Sequence, residues 1–336
     1  MEQEGNREIL SVRNLSLYYN PEKPLVAEMN GVIEKGEMVA LVGRNGSGKS
    51  TLLRTLASIQ PIHKGQVFLE HFPLESYSPA RLSRLLSFVG TGRTITENIS
   101  VYEMVSIGRH PYTNWWGKLG DKDKDIIQQA VRFVGMENHM HSRLENLSDG
   151  ERQRAMIAAA LAQDTNLVVL DEPTAFLDVP NKLEIAEVLH RLKNDGRSIL
   201  FSTHDFETVF NYADKLWVIH ENRVIQGAPE DLGIQQVFRE LFSMKNILFD
   251  EINLRFKRQT EWINPVYVRD GDEISRQWTI RALERCGYRV TDKENDAWAT
   301  LIIHKEGEKL RWQIYSGDTN IQFHSLYELA SFLTKA

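Results

Sequence analysis

The chain has 336 residues, 42% hydrophobic and 26% charged, with a formal net charge of −6 and one cysteine, Cys286. That length suggests about two folded domains, and the negative balance leaves no overall basic field for binding nucleic acid. A lone cysteine excludes an intramolecular disulfide or a cysteine-rich zinc cage and fits a reducing compartment.

Residues 1–8 are acidic without an apolar core, so no secretory signal is expected there. No window is long and apolar enough to cross a bilayer. The expectation is a cytoplasmic protein that other subunits hold at any membrane where it works. Residues 9–19 alternate apolar and polar up to the turn cluster at 20–24. Two strands around that turn, and a third at 38–42, suggest an antiparallel edge sheet. A further strand is expected near 66–69, and residues 78–162 read as mainly helical, with helical periodicity at 101–107 and 126–131. The apolar runs 167–170 and 198–201 flank an amphipathic helix over 182–193, a βαβ pattern that demands a parallel sheet. Residues 216–219 and 223–225, joined through Glu221 and Asn222, form a hairpin. A boundary falls within 238–250. Beyond it, strands at 265–268, 299–303 and 310–315 and helices near 275–286 and 325–333 give a β-α-β-β-α module, just large enough to hold its own core. Trp262, Trp278, Trp298 and Trp312 are expected to fill that core, with Cys286 buried.

The chemistry concentrates in four places. The run Gly43-Arg44-Asn45-Gly46-Ser47-Gly48-Lys49-Ser50-Thr51 follows the apolar strand 38–42 and leads into a helix over 52–57. Strand, glycine-rich loop and helix are the context of a phosphate-binding loop. Glycines let successive backbone N–H groups converge on one oxyanion, and the helix start adds its own unpaired N–H groups. Lys49 is placed for the β- and γ-phosphates and the Ser50 hydroxyl for Mg²⁺. The run Leu167-Val168-Val169-Leu170-Asp171-Glu172 ends in two carboxylates where ligands gather outside a parallel sheet. Asp171 suits the Mg²⁺ shell and Glu172 the attacking water; the bland alternative is a helix N-cap ahead of Pro173. His204 ends the next strand, on the same sheet edge, within reach of a γ-phosphate. Ser148 and Glu151 form a capping box ahead of an apolar-rich helix, itself an anion-favouring terminus.

In this order and spacing the pieces resemble the ATP-binding cassette family over roughly residues 8–240. Residues 43–51 match the Walker A motif, and 147–151 resemble the signature Leu-Ser-Gly-Gly-Gln. Asp171 and Glu172 match the Walker B aspartate and the adjacent catalytic glutamate. Ala175-Phe176-Leu177-Asp178 looks like the D-loop, and His204 like the switch histidine. Tyr19 is similar to the aromatic that stacks on adenine, with Tyr18 the competing choice. The resemblance implies an α/β fold: a P-loop ATPase domain over 8–242, with a mostly parallel sheet, an antiparallel edge sheet and a helical subdomain at about 93–162. A small α+β accessory domain over 255–336 follows. It further implies a homodimer that sandwiches ATP and Mg²⁺ between Walker A of one subunit and Ser148, Gly150 and Glu151 of the other. Partners would be integral-membrane permease subunits, with a substrate-binding protein on the far side, which places the chain on the inner face of the cell membrane. No direct nucleic-acid contact is expected.

Two departures stand out. Thr91 falls where the family has a glutamine that touches Mg²⁺ and begins the permease-facing segment, and its side chain is too short to copy that reach. The signature carries Asp149 for glycine and Glu151 for glutamine. The run Val105-Ser106-Ile107-Gly108-Arg109-His110-Pro111-Tyr112 resembles the Gly-Arg-x-Pro run of importers for iron–siderophore complexes, haem and vitamin B12, in the permease-contacting region. Trp115 and Trp116 after it suit either a partner groove or packing within the helical subdomain. The alternative is a soluble cassette ATPase acting on DNA or ribosomes, or a switch for its C-terminal module. Only about a hundred residues separate Walker A from the signature, with no heptad run, and the chain carries a single cassette.

Overall fold

The computed structural model describes residues 7–20, 23–91, 98–114, 116–242, 247–250, 255–258, 261–307, 309–317 and 319–335. By internal contacts the chain divides into two units: Met1–Phe242 with Phe249–Arg255, and Ser243–Leu248 with Phe256–Ala336.

In the first unit, β1 (Glu8–Asn20) and β2 (Lys23–Glu34) form a long antiparallel pair, with Leu10 opposite Ile33. Ahead of the glycine-rich loop runs β3 (Met38–Gly43), and α1 (Lys49–Leu56) follows that loop. Next come β4 (Lys64–Leu69), β5 (Phe72–Pro73), the short α2 (Pro79–Leu82) and β6 (Leu86–Val89). The helical stretch holds α3 (Val101–Ile107), α4 (Asp121–Phe133) and α5 (Asp149–Ala162). Then β7 (Leu167–Leu170), α6 (Val179–Asn194), β8 (Ser198–Ser202), α7 (Phe206–Tyr212), the hairpin β9 (Lys215–His220) and β10 (Arg223–Gly227), α8 (Pro229–Ile234) and α9 (Val237–Phe242) complete it. The ribbon β11 (Ile247–Asp250) and β12 (Arg255–Arg258) comes after α9 in the chain.

The antiparallel sheet has the order β2-β1-β4-β5, and the central sheet the order β10-β9-β3-β8-β7-β6. The expected edge sheet therefore exists, but β3 is not its third strand. It pairs in parallel with β8 and β9 in the middle of the central sheet, and β4 takes its place. The physical reason is that every residue of β3 is buried, as befits a strand covered on both faces. Successive side chains leave the strand on opposite faces. Met38, Ala40 and Val42 join one apolar core with α5 and α6, while Val39 and Leu41 join the other, against β1, β4 and α1. Strand β7 divides the same way, Val168 and Leu170 against Leu167 and Val169.

Gly108 and Arg109 turn inward, between the exposed Ile107 and His110. A Cβ on Gly108 would sit 2.1 Å from the Ala159 carbonyl oxygen, so only glycine lets the end of α3 lie against α5. The Arg109 side chain is buried; it donates to Ala162 O at 2.8 Å and Asp123 Oδ1 at 2.9 Å and lies over the Tyr112 ring. Both residues of this pair thus hold the helical subdomain together. Gly108→Ala should destabilise the protein by about 1–3 kcal/mol, because backbone rather than a flexible side chain blocks the added carbon. Chemical denaturation of the two forms checks this, and equal midpoints would refute the tight approach.

The second unit holds β13 (Pro265–Asp270), α10 (Glu273–Arg285), β14 (Arg289–Thr291), β15 (Ala299–Glu306), β16 (Lys309–Ser316), β17 (Thr319–Phe323) and α11 (Leu326–Lys335). Its sheet order is β14-β13-β15-β16-β17, two strands more than the β-α-β-β-α reading. The additional strands are the two edges, short or largely polar, so neither carries a strong apolar signal. The tryptophan expectation fails for three of four. Trp262, Trp278 and Trp298 are 47%, 59% and 41% exposed, and only Trp312 is buried. Ser275, Thr279, Ala282 and Leu283 form the inward face of α10, which turns Trp278 outward. The Trp312 indole N–H donates to the Thr279 hydroxyl at 2.8 Å. Cys286 is half-buried rather than buried.

Candidate functional site

The residues singled out on the central sheet meet at its carboxyl edge. Gly46 and Gly48 have φ of 76° and 100°, backbone that side-chain-bearing residues rarely adopt, and this lets the loop after β3 curl into α1. A Cβ on Gly43 would lie 2.7 Å from the Ser47 hydroxyl, itself buried without a hydrogen-bond partner among the described residues. Asn45 and Thr51 belong to the same loop and helix start. Lys49 is buried, and its ammonium donates to Gly43 O at 3.1 Å and Arg44 O at 3.3 Å. Burial lowers its pKa from the ordinary lysine value, opposed by the charges of Glu172 and Asp171. The Arg44 side chain reaches away toward α9: its Nε donates to Leu241 O at 2.9 Å.

Asp171 is 1% exposed and collects three hydroxyl donors. Ser50 and Ser202 reach its Oδ1 at 3.0 and 2.8 Å, and Thr91 reaches Oδ2 at 3.3 Å. Ser202 also accepts the Glu172 backbone N–H at 2.9 Å. Sequence reading missed Ser202. The available signal was its place in the βαβ unit, since parallel pairing of β7 with β8 sets Leu170 beside Phe201. Glu172 has φ of 49°, a strained setting for a non-glycine residue. Its Oε1 lies 3.1 Å from His204 Nε2, and since a carboxylate only accepts, that nitrogen carries the proton. Burial and the Lys49 charge lower the His204 pKa, against Glu172, which raises it, so the ring stays neutral around pH 7. A cavity of about 40 Å³ lined by Thr91, Glu172 and Gln153, among others, leaves room for a water beside Glu172.

Of the signature run, Asp149 lines the same cavity as Thr91 and Glu172, while Ser148 and Glu151 are engaged with each other. Ser148 caps α5 and Glu151 closes the box, its Oε2 accepting from Ser148 N at 2.8 Å and Oγ at 2.9 Å. The Ser148 backbone N–H is the main reason the Glu151 carboxyl titrates below its ordinary value. Gly150 is buried where a Cβ would lie 2.3 Å from Asn181 Oδ1. Among the described residues no hydrogen bond joins Ser148, Gly150 or Glu151 to residues 43–51. Phe176, in the loop between β7 and α6, is 80% exposed, and Val179 and Leu183 on α6 are exposed with it. Tyr19 lies in β1, but its side chain falls outside the described residues, as do Gly92, Arg93 and Trp115. The alternative choice, Tyr18, is half-buried and edge-on to His63. Trp116 is exposed.

Comparison with known proteins agrees. The model of the ABC transporter family matches residues 26–175, and that of the iron ABC transporter C-terminal domain matches residues 264–334. An uncharacterized ABC transporter ATP-binding protein of Methanocaldococcus jannaschii is 37% identical over 73% of this chain and 84% of its own length. A petrobactin import ATP-binding protein of Bacillus anthracis is 34% identical over 70% of this chain and 87% of its own. Among solved structures, an inward-facing metal-chelate type ABC transporter is similar with a TM-score of 0.63 and 28% identity, covering 70% of this chain and 89% of that one. With an α/β P-loop core, a smaller C-terminal unit and these relatives, the chain belongs to the ATP-binding cassette transporter family, as an ATP-binding and ATP-hydrolysing subunit.

Proposed function

We propose that this subunit powers import of an iron–siderophore complex, or of haem or cobalamin, through an integral-membrane permease. The observation that carries the reading is the joining of Lys49, Ser50, Asp171, Glu172 and His204 at one sheet edge. The names of the relatives and the match to the iron-transporter C-terminal model support the substrate class. The domain division proposed is an ATPase over 8–242 and an accessory domain over 255–336.

Backbone N–H groups of residues 43–51 would cradle the phosphates, with Lys49 exchanging its two loop carbonyls for phosphate oxygens. Ser50 and Asp171 suit Mg²⁺, which takes one or two protein oxygens beside phosphate and water. Among the described residues there is no cluster of three or more acidic, histidine or cysteine groups that would form an all-protein cage. When bound, the ion would neutralise charge on the β- and γ-phosphates. Glu172, paired to the neutral His204, would accept a proton from the attacking water, while His204 holds the carboxylate in place. Tyr19 would stack on adenine. Ser148, Gly150 and Glu151 would complete the site of a second copy, and the exposed apolar row Phe176, Val179 and Leu183 offers a surface for that copy to cover.

No helix among the described residues is long and apolar enough to cross a membrane, and the proposed location is the inner face of the cell membrane, on the permease. Purified from the membranes of its own cells, the chain should bring a polytopic permease with it. In proteoliposomes its ATPase should rise when a substrate-binding protein loaded with an iron chelate, haem or cobalamin is supplied. ATPase stimulated by ribosomes or DNA, with no permease recovered, would overturn the reading.

A further inference from the structure

We propose that Thr91 is a positioning residue: with Ser202 it clamps Asp171, so that the carboxylate is already oriented for the divalent cation. The inference rests on the metal-shell reading of Asp171 given above. Three adjacent parallel strands build the clamp. Val89 of β6 pairs with Leu170 of β7, and Leu170 with Phe201 of β8, so Asp171 and Ser202 emerge side by side just beyond the pairs, with Thr91 two residues past Val89. The Asp171 backbone N–H donates to Val89 O at 2.8 Å, which extends the pairing past the end of β6. A hydroxyl from the loop after β6, a carboxylate from β7 and a hydroxyl from β8 therefore lie side by side.

The two hydroxyls hold different oxygens. Ser202, fully buried and pinned by the Glu172 N–H, donates to Oδ1 at 2.8 Å, where Ser50 also donates at 3.0 Å. Thr91 donates to Oδ2 at 3.3 Å, and among the described residues it is the only protein hydrogen-bond donor to that oxygen. Rotating the carboxylate therefore breaks a bond at each end. At 1% exposure, Asp171 has little water to compensate such a loss. Threonine suits the task because its branched Cβ restricts χ1 and so fixes the hydroxyl. A glutamine at this position meets the metal on a long arm; Thr91 is too short for that and acts through Asp171.

The test separates this role from a structural one and from the reading beneath it. Binding of Mn²⁺ in the presence of a slowly hydrolysed ATP analogue, read from the spin resonance of free Mn²⁺, should weaken about tenfold in Thr91→Val. Thr91→Ser should stay within about twofold of the parent, since it keeps the donor. In turnover, the KM for Mg²⁺ should rise by a similar factor in Thr91→Val while kcat at saturating metal holds. If the valine form does not fold, Thr91→Ala makes the same comparison. Unchanged Mn²⁺ affinity without the hydroxyl, while Asp171→Asn weakens it, overturns the role of Thr91 alone. A fall in kcat with no change in the KM for metal also overturns it, because packing alone would explain that. Unchanged affinity in Asp171→Asn overturns the metal reading of Asp171 itself.

Discussion

Glu172→Gln should lower ATP hydrolysis by about 10²–10⁴-fold while leaving ATP binding nearly intact. The amide keeps the shape of the carboxylate but cannot take a proton from water, and its side-chain neighbour His204 remains 3.1 Å from the same position. Among the described residues the Glu172 carboxylate pairs with His204 and makes no hydrogen bond to the phosphate loop, so affinity should be largely spared. In a dimer built as proposed, the variant would accumulate with nucleotide enclosed. Single-turnover phosphate release beside equilibrium nucleotide binding separates the two effects. Hydrolysis at the parental rate would remove Glu172 from the role of base.

Lys49→Ala should instead cost nucleotide affinity, by about a hundredfold, in line with deleting one side of a buried charge-assisted contact. Its ammonium is the buried cation that the loop carries, held on the carbonyls of Gly43 and Arg44 and facing the charges of Asp171 and Glu172. Removal leaves those two acidic groups unbalanced at the place where phosphate must enter, so repulsion adds to the lost bonds. Titration calorimetry with ATP checks it. An affinity within about threefold of the parent would mean that the backbone cradle alone carries binding.

The parts of the site that a reader of the sequence can find are those written locally. Lys49 and Ser50 follow a buried strand at fixed offset, and Asp171, Glu172 and His204 each close an apolar run, so strand ends and parallel pairing suffice to group them. Ser202 and the contact from Thr91 to Asp171 are less accessible, because they depend on which strands are neighbours and in what register. The Gly108–Arg109 pair illustrates a different gap. Its motif reads only as a resemblance to importers, and the sequence does not reveal that the glycine also serves a close approach of backbone to backbone and the guanidinium an internal network. Composition alone also misleads in the second unit. Four tryptophans in a small module invite the assumption of a rich core, but helical phase puts Trp278 on the outer side of α10. The edge strands β14 and β17 escape notice because edges are kept short or polar.

Where the first unit ends has a practical side. Phe206 and Phe210 on α7, just past His204, pack with Phe238 of α9 and with Phe249, ring centroids 5.2 to 6.3 Å apart. The same α9 offers the Leu241 carbonyl to Arg44 of the phosphate loop. Phe249 returns to this cluster after the chain has already contributed residues 243–248 to the second unit. A single proteolytic nick anywhere in that stretch would leave an ATPase fragment lacking one ring of four and a fresh chain terminus a few residues from the group that braces its nucleotide loop. The two units can be told apart by their contacts, but no one scissile bond divides them cleanly.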